Sequence, residues 1–335
     1  MRSHVVPRET FLALARGHGG AEAVAVLRAG QLSKRRLLLG AVRRAAEERR
    51  PRAARQVRLA ETYDELERLR CGSRERWEAA LLRPYVDLWA ADCLRLMHAD
   101  GDEEPWLGGL AELLADTGHV VRLEAAGRRF TLRIDDRGPC REAHGAPVPG
   151  PLGQELLHRW EEVLAEAWRV LVHRHRRHAE ALSAGLSTLV PLLPRPDGTS
   201  VSSAVRRGYG AVGVSLPPDP ERLALALVHE FLHVQLGALL DLVPLHRPDS
   251  GARFHAPWRP DLRPAGALLQ GTYAHLGVAD FWRAESGPYA EEQYAHWCGR
   301  TLGAAETLLG SDELTDEGRE FVRELRRTIV GWGKE

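Results

Sequence analysis

The sequence predicts a predominantly α-helical α+β protein, with a helical N-terminal region and a small antiparallel sheet beside an HExxH helix. Three observations carry this. Apolar residues in the first hundred positions recur at helical intervals. From His119 the period shortens to apolar–polar alternation. Further on, the glycine-bearing run "SSAVRRGYGAVGVSLP" leads directly into the apolar "VHEFLHVQLGALLDLVPLH".

The elements follow in order. "PRETFLALARG" opens on Pro7, suited to a first turn, and closes on Gly17. "AEAVAVLRAGQLSKRRLLLGAVRRAAEERR" spaces Leu27, Leu32, Leu37 and Val42 among charges until Pro51 interrupts it. "AARQVRLAETYDELERLR" continues the helical pattern, and Pro84 kinks or divides "RERWEAALLRPYVDLWAADCLRLMHAD". "HVVRLEAAGRRFTLRIDD" reads as a β-hairpin turning at "AAGR". "RGPCREAHGAPVPGP" is a loop and marks the softest boundary, near residue 150. This divides the chain into a region 1–150, a candidate peptide-binding unit, and an HExxH region 151–335.

A long amphipathic helix is expected from Gln154 to about Ala184, with His158, His173, His175 and His178 on a wet face. "STLVPLLPR" and "SSAVRRGYGAVGVSLP" read as strands, and glycine in a strand marks a bulge or a close approach. One helix then runs from Pro220, with Asp219 as N-cap, and is ended by Pro244. "HRPDSGARFHAPWRPDLRPAG" reads as a loop, and three further helices complete the chain.

Composition bounds the function. The chain has 335 residues, is 44% apolar and 27% charged, and carries no net charge. It can build a substantial core, and nothing draws it to nucleic acid or to an anionic membrane. The basic stretch "SKRRLLLGAVRRAAEERRPRAARQVR" is interleaved with Glu47, Glu48 and apolar residues, which fits a solvated helix face. Cys71, Cys93, Cys140 and Cys298 form no CxxC pair. The N-terminal residues lack an apolar h-region, and no run of about 18 uncharged apolar residues is present. The expectation is a cytoplasmic protein without a membrane span.

His229 and His233 lie four residues apart and so share one helix face, where both imidazoles can address a single ion. The alternative is a pair of core histidines bonded to carbonyls. An open metal site wants about three protein ligands. Downstream candidates are His246, His255, His275, His296, Asp280 and Glu285. His275 is favoured, because it stands in the uncharged helical run "LLQGTYAHLGVADFW". Glu230 fits the general base of a zinc peptidase. No metzincin continuation follows His233.

"LVHEFLHVQLGALLDLVPLH" followed by "RFHAPWRPDLRPAGALLQGTYAHLGVADFWR" resembles the HExxH-domain family of 2-oxoglutarate-dependent peptide β-hydroxylases, which modify ribosomally made peptides. The resemblance is strongest from about Ser200 to Arg283 and weaker toward "FLALARGHGGAEAVAVLRAGQLSKRRLLL". It implies a non-haem iron dioxygenase acting on a side-chain Cβ of a precursor peptide. It also implies Fe(II), held by His229, His233 and His275, with 2-oxoglutarate and O2 as co-substrates. A radical-SAM or other peptide-modifying enzyme is the partner the resemblance suggests. Three imidazoles depart from the common set of two histidines and one carboxylate, and an anionic keto acid would offset the extra positive charge.

The distal carboxylate of the keto acid needs a cation, for which arginine's planar fork is suited. Arg259, Arg263 and Arg283 lie within the family-like block, with Arg259 favoured and Arg207 an outside candidate. Trp258 and Tyr273 are candidates to wall the pocket. In this reading Glu230 orients a ligand or meets the substrate. The competing readings are a zinc-dependent peptidase with Glu230 as general base and a catalytically silent scaffold for a peptide or partner enzyme.

Overall fold

The computed structural model describes residues 4–99, 103–115, 117–248 and 250–333. The chain opens with α1 (Arg8–Ala15), α2 (Gly20–Arg49), α3 (Pro51–Gln56), α4 (Leu59–Gly72), α5 (Arg74–Leu81), α6 (Val86–His98) and α7 (Gly109–Leu114). Pro51 occupies the first turn of α3, where its missing N–H costs nothing. Pro84 divides α5 from α6, and Tyr85 enters α6 in the left-handed conformation, φ 68°.

The hairpin β1 (His119–Ala125) and β2 (Arg128–Ile134) follows the expected alternation. Ala126 and Gly127 turn it with positive φ. Then come α8 (Gln154–Arg174), α9 (Arg176–Gly185), β3 (Thr188–Leu192), β4 (Ser202–Ser203), β5 (Ala211–Ser215) and α10 (Pro220–Leu240). Asp219 caps α10, its Oδ1 accepting the Arg222 amide at 2.8 Å. A two-stranded hairpin, β6 (Phe254–His255) and β7 (Leu262–Arg263), precedes α11 (Ala265–Ala284), α12 (Pro288–Leu309) and α13 (Asp316–Trp332).

The fold is α+β and mainly helical, as the periodicities predict. Five strands form one sheet in the order β1-β2-β3-β5-β4. It is mixed, not antiparallel: β2 pairs with β3, and β3 with β5, in parallel. The reason is the α8–α9 connection, long enough to return the chain parallel to β2. β2 and β3 lie on opposite sides of residue 150, so the sheet runs through the expected boundary. Along β3 and β5, Leu189, Val212 and Val214 face one core, while Val190, Leu192 and Ala211 face the other. Phe11 and Leu14 of α1 share the first core with residues of α10, α11 and α13.

Five further expectations need correction. The helix from Gln154 breaks at His175. His175 and His178 are buried, not wet, and meet Glu285 and Asp280 at 2.7 and 3.1 Å. Arg35, on the supposedly solvated face of α2, is fully buried. "SSAVRRGYGAVGVSLP" holds two antiparallel strands, not one, because "AVRRGYG" turns the chain back. The "HRPDSGARFHAPWRPDLRPAG" loop contains the β6–β7 hairpin.

α10 has the length and composition of a membrane-crossing helix, but 72% of its apolar window is buried in the fold. It packs on α11 at close range, since a Cβ on Gly277 would overlap the Leu232 side chain. This contact brings the histidines of the two helices together.

Candidate metal centre

His229 and His233 project from one face of α10, one turn apart. Their ring centroids are 5.0 Å apart. His275, on α11, lies 5.0 Å from His229 across the helix pair. An imidazole nitrogen bonds a divalent ion at roughly 2.1 Å, which sets the ring centroid about 3.2 Å from the ion. Two rings sharing that ion then stand about 4.5–5 Å apart. Both separations from His229 match.

The ring nitrogens are also prepared. His275 Nδ1 bonds the Gly271 carbonyl at 2.8 Å, and a carbonyl only accepts, so this nitrogen carries the hydrogen. His233 Nδ1 is held by Gln270 Oε1 at 3.1 Å in the same sense. In neutral rings both Nε2 lone pairs are therefore available. Burial holds all three rings below the usual histidine range, His275 at about 4 and His229 well below, with His233 and His275 adding to the effect on His229. Neutral imidazoles are the ligating form.

Among the described residues, no three His, Cys, Asp or Glu side chains already have their donors gathered as a bound ion would gather them. What the structure shows is His229 with one imidazole on either side of it. His275 is clamped between two indoles, Trp258 at 4.2 Å and Trp297 at 4.7 Å between centroids.

The rings open on a cleft of about 470 Å³. Its walls include Ser202, Ser203 and Arg206 from the β4 side, and Trp258, Arg259, Arg263 and Gln270 from the β6–β7 hairpin and α11. Glu230 lies at its floor, nearly fully buried, with Oε1 3.9 Å from His229 Nε2. Ser202 Oγ donates to Glu230 Oε1 at 2.6 Å. Burial pushes the Glu230 carboxyl up to about 7, against the opposing pull of that hydrogen bond.

Of the proposed co-substrate residues, Trp258, Arg259 and Arg263 line the cleft. Arg259 and Arg263 share Asp261, at 2.7 and 3.0 Å. Two placements are corrections. Tyr273 is two residues from His275 and so points away, into the core beside Phe321, its hydroxyl 3.5 Å from Gln235 Oε1. Arg283 lies two turns beyond His275, paired with Asp280 and stacked over Trp332, and does not line the cleft. Arg207 is exposed, and its neighbour Arg206 takes the cleft position, held by Asp241 at 2.7 Å.

Sequence reasoning did not single out Ser202, Ser203, Arg206, Gln270 or Trp297. Gln270 carried the one readable signal, a polar residue in an apolar helix close to His275.

No protein-family model matches the chain, and no curated protein does. The functional reading therefore rests on the residues themselves.

Proposed function

We propose that the chain is a non-haem Fe(II)- and 2-oxoglutarate-dependent dioxygenase that hydroxylates a side-chain Cβ of a ribosomally made precursor peptide. The observation that supports it most is the placement of two imidazoles, His233 and His275, each within ion-sharing distance of His229. His229, His233 and His275 would hold the iron. Iron held there would supply, together with the keto acid and dioxygen as co-substrates, the oxidising power to hydroxylate an unactivated C–H bond.

The chain's own groups have separable tasks. Gly271 and Gln270 fix the ring orientations of His275 and His233. Trp258 and Trp297 shield His275 from water. Arg259, Arg263 and Arg206 supply positive charge in the cleft for the co-substrate carboxylate and for acidic groups of a peptide. Glu230, held by Ser202, borders the metal position and orients what binds there. A radical-SAM or other modifying enzyme acting on the same peptide is the partner this reading suggests.

One observation favours a second reading. A carboxyl raised to about 7 beside His229 suits the general base of a zinc-dependent peptidase. Anaerobic titration separates the two. Fe(II) with 2-oxoglutarate should give a weak visible charge-transfer band, absent in His229→Ala. Zinc-restored peptide cleavage, lost in Glu230→Gln and without such a band, would replace the oxygenase by the peptidase.

A further inference from the structure

A second set of polar groups reaches the cleft from behind the sheet. His144, in the loop after β2, is buried, yet both ring nitrogens are engaged by hydroxyls. Nε2 meets Tyr85 Oη at 2.7 Å, and Nδ1 meets Ser203 Oγ at 2.8 Å. Ser203 lines the cleft on β4. The chain of contacts therefore runs from a buried phenol, through a buried imidazole, to a hydroxyl at the cleft wall.

Several sequence features make room for this arrangement. A Cβ on Gly213 would lie 2.7 Å from His144 Nδ1, so the glycine in β5 accommodates the ring. Gly208 similarly faces Tyr85 Cε1, at 3.2 Å from its notional Cβ. Tyr85 itself is held at φ 68°, a strained conformation for a non-glycine residue that persists only where surroundings impose it.

The direction of the hydrogen bonds can be assigned. A phenol is a stronger donor than a serine hydroxyl, and burial keeps Tyr85 protonated. Tyr85 therefore donates to Nε2. A neutral ring then carries its hydrogen on Nδ1. Burial holds His144 down to about 4, so the ring is neutral at pH 7. Nδ1–H donates to Ser203 Oγ, which occupies a serine lone pair and leaves the serine's own hydrogen to point elsewhere. Toward the cleft, three residues along, stands the Arg206 guanidinium.

We propose that Ser203 is a ligand-binding residue of the cleft, oriented by His144 and Tyr85 so that its hydroxyl donates, beside Arg206, to a carboxylate of a bound small organic acid. The proposal deepens the dioxygenase reading, for which that acid is 2-oxoglutarate. Ser203 touches the ligand; His144 and Tyr85 are positioning residues that act through it. Arg206 can turn to the ligand without stranding Asp241, which keeps Lys34 and Gln31, both at 2.8 Å.

Binding of 2-oxoglutarate, succinate and the dipeptide Ala-Ala to the Zn(II)-loaded full chain tests this by calorimetry, with zinc affinity measured separately. Ser203→Ala should weaken 2-oxoglutarate about tenfold, the loss of one hydrogen bond to a charged group, with zinc affinity unchanged and the thermal midpoint lowered by the His144 Nδ1–H left without its acceptor. Ser203→Thr should bind as wild type, and Tyr85→Phe should weaken binding in the same direction. In 15N-histidine-labelled protein, the His144 resonances should shift on adding the acid and stay fixed in Ser203→Ala. If wild type binds succinate or Ala-Ala but not 2-oxoglutarate, and Ser203→Ala loses that binding, the dioxygenase reading fails while this assignment stands. Wild-type affinity in Ser203→Ala, or no binding of any of the three acids to wild type, overturns it.

Discussion

The Trp258 indole lies flat on the His275 imidazole, 4.2 Å between centroids and 18° from parallel. The space it occupies exists because residue 271 is glycine, since a Cβ there would overlap the indole. Gly271 also accepts the His275 Nδ1 hydrogen, at 2.8 Å. One residue thus sets both the rotation and the cover of the third imidazole.

Gly271→Ala should separate stability from metal binding. Alanine favours a helix interior over glycine by ~1 kcal/mol, so α11 itself should not suffer. The displaced indole would release His275, and metal affinity should fall about 10–100-fold, the usual effect of removing a ligand's support. Competition against a zinc indicator measures this. Unchanged affinity in a folded Gly271→Ala protein would show that the Trp258 cover does not hold His275 in place, since alanine keeps the carbonyl that bonds its Nδ1.

Gln270 should matter to His233 in a chemically specific way. Gln270→Leu removes the acceptor for Nδ1–H and frees the ring to turn, which should weaken metal binding about 10–100-fold. Gln270→Glu keeps an acceptor and makes the ring more basic, so it should bind at least as tightly as wild type. Equal affinities across Gln, Glu and Leu would show that the contact has no role in the site.

The histidine set was legible because its signals are local. Spacing by four puts His229 and His233 on one face whatever surrounds them, and His275 stands out in a run without charge. Which arginines line the cleft was not legible. In a chain whose only lysines are Lys34 and Lys334, arginine is everywhere, and only tertiary placement separates Arg206 from Arg207 or Arg259 from Arg283. The periods revealed the helices and the β1–β2 hairpin. They could not reveal the mixed sheet, because parallel pairing of β2 with β3 depends on where α8 and α9 return the chain. Two-residue strands such as β4, β6 and β7 are too short to show any period.

Stability should decline in mild acid. Burial lowers His18 and His144 to about 4 and His175 to about 3. Unfolded, each takes a proton near 6.5. Between those values the unfolded chain binds more protons, so the stability these rings contribute is complete above pH 6.5 and is lost as pH falls toward 4. Glu230, raised to about 7, works the other way between 7 and 4.5, but it is one carboxyl against these three rings and, in the metal-free protein, the three lowered rings of the candidate metal centre as well. Urea midpoints of the metal-free protein should be level from pH 8 to 7 and drop between 6 and 4.5. A midpoint independent of pH down to 4.5 would show that these rings titrate normally in the fold.

The largest single effect on stability is expected at Arg35. Its guanidinium, fully buried, donates to the carbonyls of Leu81 and Arg83 at 2.9 Å, to Asp87 Oδ1 at 3.1 Å and to the Tyr209 carbonyl at 3.3 Å. These contacts tie α2 to the α5–α6 turn and to the approach to β5. Arg35→Ala leaves three carbonyls without this donor and opens a cavity. It also takes one cation from Asp87, which keeps Lys34 at 3.0 Å. Removing one partner of a buried ion pair costs about 3–5 kcal/mol, and the remaining lysine places the expected loss at the lower end. Asp87→Asn should cost a similar amount, because it strands the arginine charge. Chemical denaturation measures both. A loss below about 1 kcal/mol for Arg35→Ala would mean that water reaches these carbonyls and that the turn bearing Tyr85 is held by something else.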